Sequence, residues 1–199
     1  MTSEPRVPGL GLDEMSEEVR ALLLPTLAPV AAMEGHRAAE GEERKPLAVL
    51  TVLAHAPRLL GPFLAWASAL ALEGVLPRRE HELLALRAAW NCRSRFEWGH
   101  HIVFAHAAGI TDDEIIRLVA GPDADGWSEL EAALLRAADQ LHTASDVDDA
   151  TWSVLAAHYD PAALVEIPMI VGQYTMLSML TNACGVELEP GHQELPSPE

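Results

Sequence analysis

Cysteine is scarce in this chain: Cys92 and Cys184 are the only two in 199 residues. Such usage fits a reducing compartment, and no N-terminal basic segment leads into an apolar stretch with a small-residue cleavage site, so a cytoplasmic location is expected. Basic residues are also in deficit, with 13 Lys and Arg against 30 Asp and Glu, a formal net charge of −17. A nucleic acid or an anionic membrane surface would be repelled by that charge, which serves solubility instead. Uninterrupted apolar length is missing too. The most apolar stretch, Pro161 to Leu180, approaches bilayer-spanning length but contains Glu166, Pro168, Gly172 and Gln173, so it reads as a buried helix with no membrane partner. No segment alternates with period two for long enough to make a sheet, and no internal repeat recurs.

What remains is helical periodicity with clear punctuation. Residues 1–14, rich in Pro, Gly and acid, read as an irregular arm able to wrap a neighbouring subunit; 15–187 read as one all-helical domain; and 188–199 read as an irregular tail. A short apolar run from Leu47 to Ala54 ends at Pro57, and a further helix fits Gly61 to Glu73. Pro77 fits the first turn of the helix PRREHELLALRAAWN, in which Leu83, Leu86, Ala89 and Trp90 recur at helical spacing. The next helix runs from about Ser94 to Ala108, with Gly109 as terminus. Thr111 with Glu114, and Ser128 with Glu131, form capping boxes for helices reaching Ala120 and His142. DDATWSVLAAHY makes another helix, and Asp160-Pro161 reads as cap and first turn of the long C-terminal one. The fold class is all-α, with seven to nine helices around a helical hairpin.

One helix carries polar groups where an apolar face is expected. In RFEWGHH, Glu97 and His101 are four residues apart and can touch, while Trp98 neighbours His101 at a spacing of three. A carboxylate bonded to one imidazole nitrogen fixes the tautomer and raises the basicity of the other nitrogen, as general-base chemistry at neutral pH requires. On the preceding helix Glu82 shares a face with Arg78, Arg79 and Leu86, and a short loop at Cys92-Arg93 brings it toward the pair. His100 points about 100° away from His101, toward solvent or a partner. No H-E-x-x-H or other recognised ligand spacing occurs, so no metal is expected.

The stretch LPRREHELLALRAAWNCRSRFEWGHHIVFAHAAGITDDEI resembles the carboxymuconolactone decarboxylase family, also called alkylhydroperoxidase D-like. That family has a glutamate on one helix, a short loop, and an E-W-x-x-H or C-x-x-C-x-x-x-H element opening the next. The resemblance implies an all-helical fold, a hairpin core, and oligomers from dimers and trimers to hexamers. It matches Glu82 to the upstream glutamate and His101 to the histidine, while Ser94 and Glu97 stand where the peroxidase branch has its two cysteines. Dithiol peroxidase turnover needs a nucleophilic thiolate and a resolving partner, and neither residue is one. Cys92 lies two positions too early, and both cysteines read as packing residues.

The decarboxylase branch implies chemistry without metal or organic cofactor on a small carbonyl- or lactone-containing acid. In that reading His101 moves a proton at the substrate carbon, Glu97 orients and charges His101, and Glu82 is a second acid or base kept protonated by burial. His55, Trp98, Arg79 and Tyr174 are candidate substrate-binding residues. Arg87 and Gln173 are further candidates, and Trp90 is a wall or interface residue. The alternatives are a non-catalytic helical oligomer that binds an apolar ligand or acts as accessory subunit, and a thiol-dependent hydroperoxidase, which the missing C-x-x-C disfavours.

Overall fold

The computed structural model describes residues 4–26 and 46–197. Among them are nine α-helices and no strand: α1 (Glu17–Leu23), α2 (Ala48–Leu53), α3 (Pro57–Leu72), α4 (Arg78–Asn91), α5 (Arg95–Ala107), α6 (Asp112–Ala120), α7 (Glu129–Ala144), α8 (Asp149–His158) and α9 (Pro161–Cys184). The punctuation acts as the sequence implies. Thr111 and Ser128 each accept from the backbone of a glutamate three residues on, and that glutamate bonds back to the cap. Asp160 caps α9 with Pro161 in its first turn, and Gly185 at φ 70° ends it. One boundary differs: α3 begins at Pro57 rather than Gly61, because a proline without an N–H is accepted at the first helical position.

Helix α4 is the central element, buried on every side from His81 to Ala89. Leu84, Ala85 and Ala88 face a large core shared with α9, α1 and α7, whereas Leu83, Leu86 and Ala89 face a second core with Trp98, Ile102, Ile115 and Leu118. Each buried leucine contributes about 1.5–3 kcal/mol, which anchors the helix although it also carries charged residues. Arg78, Arg79, Glu82 and Arg87 are in ion pairs, and Glu80 accepts from the Tyr159 hydroxyl. Arg87 donates to both carboxylate oxygens of Asp139 at 2.6 and 2.8 Å and to the Leu118 carbonyl at 2.6 Å, so it is a structural cross-link rather than a substrate contact. Helix α9 is long and apolar enough to cross a membrane by length and composition, yet its buried face packs on α4, α5 and α7.

Residues 4–14 contain no helix or strand, and they lie along their own chain. The Val7 N–H donates to the Cys184 carbonyl at 3.0 Å and the Leu10 N–H to the Thr51 carbonyl at 3.1 Å. The tail after α9 also returns: Arg95 pairs with Glu194 at 2.7 Å and Arg93 donates to the Pro196 carbonyl. Residues 27–45 of the expected domain lie outside the described residues.

Candidate active site

A three-residue connection turns the chain from α4 into α5. Arg93 adopts a left-handed φ of 53°, held by its guanidinium over the Trp90 ring at 4.2 Å. Ser94 then caps α5, accepting from the Glu97 N–H at 3.3 Å and sharing a hydrogen bond with the Thr181 hydroxyl at 3.1 Å. The position of the family's first cysteine is thus a helix cap. Cys92 is half-buried, and burial raises its thiol pKa, which leaves little thiolate.

Glu82, His101 and Glu97 do meet, with roles exchanged relative to the sequence reading. The His101 Nδ1–H donates to Glu82 Oε2 at 2.7 Å, and Arg78 holds the other Glu82 oxygen at 2.7 Å. Burial opposes ionisation of Glu82, but the charge and hydrogen bond of His101, together with Arg78, outweigh it and keep the carboxyl below its ordinary range. Glu82 is therefore the ionised partner that orients His101. Glu97 Oε2 stands 3.8 Å from His101 Nε2, beyond hydrogen-bond length, and Glu97 Oε1 is buried without a partner among the described residues. Burial pushes its pKa up, and the nearby His101 and His100 only partly offset this. Burial thus favours the neutral form of Glu97, not of Glu82.

These groups border a cavity of about 500 Å³ walled by Leu50, Phe63, Leu64, Phe96, Phe104 and Leu177. Its polar lining includes Arg78, Glu97, His100, His101, Gln173 and Tyr174, together with Thr26 and Ser68, and Glu82 bonds to His101 outside the lining. The Tyr174 ring meets the His101 ring edge-on at a centroid distance of 4.3 Å, and its hydroxyl shares a 2.8 Å hydrogen bond with His81 Nε2. Burial, then the charges of Glu82 and Glu97, hold the Tyr174 hydroxyl well above its usual pKa. Burial lowers His81 to about 4, so both are uncharged at neutral pH. Gln173 accepts from Trp66 Nε1 at 2.7 Å. Glu82 and Glu97 address opposite nitrogens of one ring and so do not converge on a common point, as metal ligands would.

Four expectations need correction. Arg79 does not reach the cavity, because one residue along a helix is a 100° turn; it bridges Glu114 at 2.5 Å and Glu131 at 2.8 Å, and Arg78 faces the cavity in its place. His55 sits 2.8 Å from the Pro8 carbonyl, outside the lining. Trp98 is fully buried in the second core against Trp90, on the side away from the cavity. His100 faces neither solvent nor a partner copy: it is 3% exposed, lines the cavity and bonds Glu189 at 2.8 Å. Sequence reasoning also missed His81, for which no spacing to Tyr174 gives a signal across 93 positions.

Residues 57–140, the segment holding all three central side chains, match the carboxymuconolactone decarboxylase family. Over nearly its whole length the chain also superposes on solved structures. An uncharacterized peroxidase-related protein with an alkylhydroperoxidase core, from Ralstonia eutropha, is 18% identical at TM-score 0.75, covering 96% of this chain and 95% of that one. The debrominase Bmp8, as a cysteine-to-alanine variant in complex with 2,3,4-tribromopyrrole, is 16% identical at TM-score 0.75 with the same coverage. An uncharacterized peroxidase-related protein from Silicibacter is 16% identical at TM-score 0.74, covering 96% of both chains. A comparison with curated proteins finds no match. The chain thus carries, in residues 57–140, a match to the carboxymuconolactone decarboxylase family, within a helical fold that it shares with the alkylhydroperoxidase core.

Proposed function

We propose that the protein is an acid–base enzyme of the decarboxylase-like type, acting on a small carbonyl- or lactone-containing molecule with side chains of its own chain. The observation that carries this is the orientation of His101. Its Nδ1–H is taken by the buried Glu82 carboxylate, so the lone pair of Nε2 faces the buried Glu97 carboxyl, whose neutral form burial favours, across a 3.8 Å gap beside a largely apolar cavity. A base and an acid at that separation act on neighbouring atoms of one substrate. His101 Nε2 takes a proton from the carbon beside a carbonyl while Glu97 gives its proton to the carbonyl oxygen. Where the resulting enol is conjugated with a second double bond, His101 returns its proton at the far carbon and Glu97 recovers its own. If the carbon instead bears a carboxylate, its loss as carbon dioxide leaves the same electron pair, and the proton that replaces it comes from Glu97, which solvent reprotonates. Glu82 is a positioning residue that stabilises positive charge on His101.

The apolar lining also fits a second reading, a ligand-binding helical oligomer without turnover. Assembly of copies is part of both readings and is supported by Met169, Met176 and Met179, which are 42–65% exposed along one face of α9. A monomer by light scattering at micromolar concentration removes that part.

The experiment that separates the readings is untargeted mass spectrometry of a cell metabolite extract incubated with wild type, folded His101→Ala and folded Glu97→Gln. A metabolite consumed by wild type, and about a hundred to ten thousand times more slowly by the variants, supports acid–base turnover. Equal consumption by all three contradicts it, and a product lighter by carbon dioxide identifies decarboxylation.

A further inference from the structure

The charged groups at the cavity are already balanced against one another. Arg78 supplies the cation of the lining, and it is committed: Nη2 is 2.7 Å from Glu82 and Nη1 donates to the Ala71 carbonyl at 3.1 Å. His100 is bonded to Glu189. The remaining walls are mostly aliphatic and aromatic, with Ser68 and Thr26 as their hydroxyl groups. A carboxylate brought into this space would meet an arginine whose charge is offset by a buried carboxylate, among walls that are mainly apolar. One polar group of the lining is different in kind. Glu97 is 3% exposed, borders the cavity, and has an oxygen with no partner among the described residues, which leaves a buried donor or acceptor to be satisfied from the cavity side. Tyr174 adds a hydroxyl held by His81 on the same wall.

From this placement we infer that the cavity takes an uncharged, compact, largely apolar molecule with one carbonyl-type oxygen, bound at Glu97 and Tyr174, and that it disfavours carboxylates. The inference rests on the acid–base reading above only for the orientation of the bound molecule, with its acidic C–H toward His101 Nε2 and its oxygen toward Glu97. It narrows the chemistry to proton transfer without loss of carbon dioxide. The electron pair of the broken C–H bond becomes the second bond of an enol, the proton goes to Nε2, and the Glu97 proton goes to the substrate oxygen. In a β,γ-unsaturated carbonyl compound that enol is a dienol, and returning the proton from His101 to its γ-carbon, with the enol proton going back to Glu97, completes a double-bond shift with atoms and electrons conserved. The volume of about 500 Å³ lies within the range of small-molecule sites.

The test uses two probes of matched size, acetophenone and benzoate, each titrated into the full-length protein at neutral pH by ligand-observed NMR, with Glu97→Leu as comparison. Acetophenone should bind saturably at least tenfold more tightly than benzoate, and Glu97→Leu, if folded by circular dichroism, should weaken acetophenone severalfold while leaving benzoate unchanged. Should Glu97→Leu fail to fold, Tyr174→Phe serves, with a weaker loss in the same direction. Benzoate binding as tightly as acetophenone, or no saturable binding of acetophenone at millimolar concentration, overturns the inference. Because the titration reads occupancy rather than turnover, preference for acetophenone in a protein whose His101→Ala variant consumes metabolites as fast as wild type would defeat the acid–base reading alone.

Discussion

Replacing Arg79 by methionine keeps the aliphatic stem and removes the guanidinium that ties α4 to α6 and α7. Nη2 stands 2.5 Å from Glu114 and 2.8 Å from Glu131, and Nε donates to Glu131 at 3.0 Å. Chiefly through the Arg79 hydrogen bond, with Thr111 helping and burial opposing, the Glu114 carboxyl is lowered from 4.5 to about 2. A displacement of that size corresponds to about 3 kcal/mol without screening. The three side chains keep 30%, 20% and 19% of their surface in solvent, however. Screening reduces the expected loss in Arg79→Met to about 1–2 kcal/mol at pH 7, or about 2–8 °C in melting temperature for a domain of this size. The pH dependence has a definite sign. Glu114 is more acidic folded than unfolded, so its contribution is complete above pH 4.5 and fades as pH falls toward 2. Thermal melts of the two proteins should separate at pH 7 and converge in acid. Equal stability at pH 7 would refute the structural role, and weakened ligand binding at unchanged stability would return Arg79 to the site.

Ser128→Ala removes the hydroxyl that accepts from the Glu131 N–H at 3.2 Å, and should lower stability by about 1 kcal/mol in urea denaturation. Glu97→Gln should change stability with the opposite pH trend to Arg79→Met. Because burial raises the Glu97 pKa in the folded state, wild type is favoured by protonated Glu97 below its unfolded pKa of 4.5, and loses that advantage as pH rises through the folded value. The glutamine variant should therefore gain stability relative to wild type between pH 5 and pH 8, and a gap constant across that range would contradict the protonated assignment.

Local rules carried most of the fold. Capping boxes at Thr111 and Ser128, the Asp160-Pro161 start and the Gly109 and Gly185 stops depend on neighbours within a turn, so they are legible in one dimension. The site was legible as a set of residues but not as a set of roles. The i,i+4 spacing allows Glu97 to touch His101, yet the stronger partner is Glu82, which comes from the preceding helix and brings Arg78 with it. Which carboxyl ionises follows from that pairing. Arg79 was placed wrongly by a single step around α4. His100 was misread because its burial depends on Glu189 returning from the tail, 89 positions later.

The central claim is that Glu82 fixes His101 with Nδ1 protonated and Nε2 open toward Glu97. Long-range nitrogen-15 NMR of the imidazole reads this directly at a pH where the ring is neutral. The account predicts a pyrrole-type shift at Nδ1 and a pyridine-type shift at Nε2 in wild type, with that preference lost in Glu82→Leu. A proton on Nε2 in the neutral ring of wild type, or a tautomer indifferent to Glu82, would contradict it.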